Sequence, residues 1–141
     1  MPNRDLHLPA GAVAGVAHAS YRAWGQPGPH LLAEATGGLV GGIDTPCSLR
    51  HRGEAHSMGI TGTLGYFVNS QLPAWQESLR NEAQHYVQLR AASPFVLPQI
   101  AYGVLELILR FLAGGLAGLL AGYASHLALD SLTPSALPIL C

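Results

Sequence analysis

The chain has 141 residues, enough for one domain with a single core. Charged residues make up 11% of it, against about 25% in an ordinary soluble domain, and its seven basic groups are all arginine. A net charge of −1 leaves no basic footprint for nucleic acid, and two cysteines, Cys47 and Cys141, leave no disulfide framework.

In chain order, Leu8 to Tyr21 is apolar, and Pro9 suits the first turn of a helix running to about Trp24. The stretch AVAGVAHAS has the look of a cleavable leader, but almost no net positive charge precedes it, so cleavage is not expected. Gln26-Pro27-Gly28-Pro29 breaks the chain. A short helix over about His30 to Val40 follows, loosened by Gly37, Gly38, Gly41 and Gly42, and then a loop with Asp44, Pro46, Cys47, His51 and His56. A third helix is expected from about Ala55 to Ser70, interrupted at Pro73. Residues 75–91 read as amphipathic, with Trp75, Leu79, Tyr86 and Leu89 on one side and Glu77, Arg80, Glu82 and Arg90 elsewhere. Ser93-Pro94 reads as an N-cap and first-turn pair for a last helix that ends before Pro134.

No strand-like alternation of useful length appears. The expected fold is all-α: one helical-bundle domain over 1–141. Phe111 to Leu129 carries no Asp, Glu, Lys or Arg, and its length approaches the roughly 20 apolar residues that cross a bilayer. Ala55 to Gln76 is a second uncharged run, though more polar. These runs and the low charge point to several apolar helices associated with a membrane, although Gly and Ala dilution also suits a buried core helix.

Gly114, Gly118, Gly122, His126 and Asp130 are spaced by four, as are His7, Gly11 and Gly15. Residues four apart share a helix face, and small-residue stripes allow close helix packing. His126 and Asp130 fall where one stripe ends, an imidazole and a carboxylate one turn apart, which suits two metal ligands. Asp130 falls in the last turn, where the helix dipole disfavours an anion by about 0.3–1 kcal/mol. A bound cation offsets that, as would a hydrogen-bonded His–Asp pair or a distant Arg50 or Arg52. The segment IDTPCSLRHRGEAHS adds Asp44, Cys47, His51, Glu54 and His56. His18, His30 and His85 have no constellation around them, and Tyr66, Tyr102 and Tyr123 read as packing or interfacial residues.

HRGEAHS at 51–57 and GYASHLALDSLTPSALPIL at 122–140 resemble the bacterial membrane-bound metal-dependent hydrolases of the YdjM type, grouped with the zinc-dependent phospholipase C and P1 nuclease superfamily. The resemblance implies a helical inner-membrane protein with a divalent metal, zinc above all. It implies ligands at His7, Asp44, His51, His56, His126 and Asp130. The implied activity is hydrolysis of phosphoester bonds in a membrane lipid or lipid-linked substrate, with Arg52 pairing with the phosphate. The chain departs from the pattern at Gly41 and Gly42, where the family often has Pro and Asp, so one expected carboxylate is absent; Glu54 is the candidate replacement. The rival expectations are a small membrane protein whose metal is structural or vestigial and which binds a partner, and a pore or transporter component using His and Asp within the membrane.

Overall fold

The structure, a computed structural model, describes residues 4–24, 31–48 and 58–131. Four helices account for nearly all of them: α1 (Arg4–Trp24), α2 (Leu31–Ser48), α3 (Met58–Ala92) and α4 (Val96–Ser131). Among the described residues there is no strand, and the all-α expectation holds.

The register of the bundle is set by glycine. A β-carbon at Gly114 would overlap the carbonyl oxygen of Glu34, one at Gly118 that of Gly38, and one at Gly122 would sit 2.8 Å from that of Gly42. The numbers rise together on both chains, so α2 and α4 run parallel. Against α1 the order reverses: Gly15 meets Gly38 and Gly42 meets Gly11. Gly37 and Gly41, on the neighbouring line of α2, abut the backbone of α4 at Phe111, Gly115 and Leu119. α2 thus touches two helices backbone to backbone. Each glycine costs about 1 kcal/mol of helix propensity relative to Ala. The return is close dispersion contact, with Cα hydrogens directed at facing carbonyls.

α3 runs antiparallel to α4, with Gln84 level with Arg110 and Arg90 level with Glu106. Among the described residues α3 packs closely on α4 alone, whereas α1, α2 and α4 all pack on one another. α4 has 36 residues and α2 only 18. Since Glu34 lies level with Gly114, residues 96–110 of α4 project roughly 22 Å beyond the start of α2, accompanied by α3.

Several boundaries differ from the sequence expectations. α1 starts before Pro9, which lies inside it. α2 does not stop at its glycines; it continues through Asp44, Pro46 and Cys47, because Gly41 and Gly42 are packing surface rather than breakers. Pro73 does not divide α3: Leu72 and Gln76, buried on either side of it, anchor both halves to the bundle. Ser93 does not cap α4. Its hydroxyl donates to the Phe95 carbonyl, while the Gln99 amide bonds Phe95 O and the Gln99 side chain reaches Ser93 O.

Among the described residues one helix segment, Val96–His126, is long and apolar enough to cross a membrane. Its exposed residues include Val96, Leu97, Ile100, Val104, Leu107, Ile108 and Leu112, and α2 exposes Leu32, Leu39, Val40 and Ile43. The outer face of α3 is different: Gln71, Glu77, Ser78, Asn81, Glu82, His85 and Gln88 are exposed.

Candidate functional site

The up-down-up-down order has a direct consequence for the residues picked out in the sequence. The layer formed by Gly11, Gly42 and Gly122 lies towards the start of α1 and the ends of α2 and α4. His7 is one turn beyond Gly11, Asp44 half a turn beyond Gly42, and His126 and Asp130 one and two turns beyond Gly122. All four positions are therefore at one end of the bundle, and α3 begins at this end. His7, Asp44 and Asp130 are placed by their backbone alone. His51, Arg52, Glu54 and His56 lie outside the described residues.

Of the set, His126 has a described side chain, and it is 1% exposed. Tyr123, one turn earlier, is also buried, and its hydroxyl has no hydrogen-bond partner among the described residues. Ser125 turns its hydroxyl onto the Gly122 carbonyl at 2.9 Å. Among the described residues no three His, Cys, Asp or Glu side chains gather closely enough to hold a metal. A buried imidazole at the closed end of a glycine stripe does suit the nitrogen and oxygen donor chemistry of a divalent cation.

Gly41 and Gly42 explain the departure in the acidic element. A β-carbon at Gly41 would overlap the Gly115 carbonyl, and one at Gly42 the Gly11 carbonyl. Neither position has room for a carboxylate.

The second polar feature was not anticipated. At the level of Gly114, roughly 18 Å along α4 from His126, four charged side chains converge in the interior. Glu34, Arg80, Glu106 and Arg110 are each at most 2% exposed. Arg80 clamps Glu34, with Nη2 to Oε2 at 2.7 Å and Nε to both oxygens at 3.2 Å. Arg110 donates from Nε to Glu106 Oε1 at 3.2 Å and from Nη2 to Gln84 Oε1 at 3.3 Å, and its Nη1 lies 3.8 Å from Glu34 Oε1. Arg90, partly exposed, joins Glu106 Oε2 at 3.2 Å. These long side chains span the gap between α3 and α2 that the backbones do not close.

The cluster corrects the reading of residues 75–91. Trp75 is half exposed, and the inward face of α3 carries Leu72, Gln76, Arg80 and Ala83. Arg80 turns inward because Glu34, fixed by its backbone contact with Gly114, needs a partner in a low-dielectric seam. Glu106 and Arg110 did leave a signal: an i,i+4 ion pair at the edge of an otherwise uncharged helix. His85 is exposed and His18 half-buried, as packing or solvated histidines are.

Compared with known proteins, the chain matches no family model, no curated relative and no solved structure.

Proposed function

We propose that the chain is a membrane-associated, metal-dependent hydrolase of phosphoester bonds in a lipid-like substrate. The observation that supports it is the convergence of His7, Asp44, His126 and Asp130 on one end of the bundle, from three helices that the sequence places far apart. His51 and His56 belong to the segment that joins α2 to α3, two helices that end and begin at that same end. A divalent cation held by these nitrogen and oxygen donors, zinc being the best match, supplies a water of lowered pKa and polarises a phosphoryl oxygen. Arg52 orients the substrate phosphate. The apolar outer faces of α2 and α4 keep the site at a bilayer, the inner membrane in the bacterial setting that the resemblance implies.

A second reading is favoured by the packing of Gly41 and Gly42, which leaves no room for the missing carboxylate. With fewer ligands the metal is structural, and the protein serves as a partner-binding subunit.

Metal analysis of the purified chain tests the site. The expected result is stoichiometric zinc, manganese or iron that is lost in His126→Ala and Asp130→Ala. Wild-type protein without metal would refute it. Release of phosphate or headgroup from phospholipids then separates the two readings: turnover supports the enzyme, and a metal-loaded protein without turnover supports the subunit.

A further inference from the structure

The ion-pair cluster is not fully satisfied. Arg80 uses Nε and Nη2 on Glu34, but its Nη1 has no hydrogen-bond partner among the described residues and is shut off from solvent. One turn earlier on α3, Gln76 Nε2 is in the same condition, in a side chain 1% exposed. Both are donors. Side chains four apart on a helix stand about 5–6 Å from each other at their β-carbons, a spacing that lets both reach one small group. At their level α4 contributes Ala113 and Ala117, fully buried and without polar side-chain atoms.

Charge points the same way. Glu34 is shared by Arg80 and Arg110, and Glu106 by Arg110 and Arg90, the last of which is partly exposed and keeps its charge in contact with water. A buried donor without an acceptor costs about 1–3 kcal/mol, and more when it belongs to a charged group. The complement of two free donors, one of them on a guanidinium that shares its carboxylate, is a group that offers acceptors alone. A phosphate oxygen is one, and Arg80 can meet it through a free guanidinium edge.

We propose that the seam between α3 and the α2–α4 pair, closed by Glu34, Arg80, Glu106 and Arg110, binds one oxyanion, a phosphate group, through Arg80 Nη1 and Gln76 Nε2. It lies at the level of Gly114, away from the His126 end, and does not depend on a metal there. The phosphate comes either free from solution or as the headgroup of an anionic lipid.

The test is binding to the full chain in detergent with a chelator present, so that a metal at the other end cannot contribute. The probes are inorganic phosphate and a short-chain phosphatidylglycerol, read by calorimetry and by thermal unfolding. The expected result is saturable binding of at least one probe, weakened about tenfold or more by Gln76→Leu. Arg80→Lys, which keeps a cation beside Glu34 but removes Nη1, weakens it similarly, and Glu77→Gln on the exposed face leaves it unchanged. Binding of inorganic phosphate identifies a free-anion site; binding of the lipid alone identifies a headgroup site. No binding of either probe, or equal binding by wild type and Gln76→Leu, overturns the proposal. Gln76→Leu keeps the test informative if Arg80→Lys fails to fold.

Discussion

Two seams hold this bundle together, and they work by opposite means. Between α1, α2 and α4 the helices meet through glycine, with carbonyl oxygens where β-carbons would stand. Between α3 and α2 the backbones stay apart, and Arg80 crosses the space to Glu34, while Gln84 and Arg90 of α3 join Arg110 and Glu106 of α4. The first seam has almost no side chains to order, so its conformational entropy cost is small and its shape tolerance is nil. The second orders several long side chains and desolvates four charges, so its net contribution to stability is modest even though breaking it is costly. Close approach fixes which helices neighbour each other; charge pairing fixes how α3 is rotated against them.

The largest test of this contrast is Gly118→Leu. Its side chain would drive into the Gly38 backbone, and neither side can yield, so the α2–α4 pair should fail to assemble, seen as loss of cooperative unfolding by circular dichroism in detergent. Next, Glu34→Ala strands Arg80 and should cost about 3–5 kcal/mol in denaturant unfolding. The double variant Glu34→Met with Arg80→Met should recover most of that loss, because a matched apolar pair is often neutral or better. If the double variant is as unstable as the single, the seam is a true source of stability and the contrast collapses. The smallest effect belongs to Gly65→Ala. A β-carbon there meets nothing within 4 Å, so helix propensity alone should act, stabilising α3 by about 0.8–1 kcal/mol.

The glycine seam was legible in the sequence, because spacing by four survives whatever the helix packs against. Gly114, Gly118 and Gly122 could be read as one smooth face without knowing the neighbour, and so could Gly11 and Gly15. The role of Gly37, Gly38, Gly41 and Gly42 was not, since a glycine pair inside a helix looks locally like a terminus. The same ambiguity placed Asp44 in a loop instead of on α2. The charged seam was less legible still. Amphipathicity separates charges from the apolar side, and that rule grouped Trp75, Leu79, Tyr86 and Leu89 on one side and left Arg80 off it. Only the partner, Glu34, more than forty residues earlier in the chain, reverses it. For the candidate metal site, spacing singled out His126 and Asp130 and the resemblance implied the other members, but the common location of His7, Asp44, His126 and Asp130 followed from helix direction, which the glycine register between α1 and α2 decides.

The two seams also differ in how they can change over generations. A guanidinium and a carboxylate can exchange places, or both give way to apolar side chains, so α3 has neutral routes to new sequences. The Gly38 position has none, because its obstacles include the Gly15 carbonyl, and no substitution in a neighbour removes a main-chain oxygen. Descendants of this chain should therefore keep the glycines of α1, α2 and α4 while the charges on α3 drift in compensated pairs.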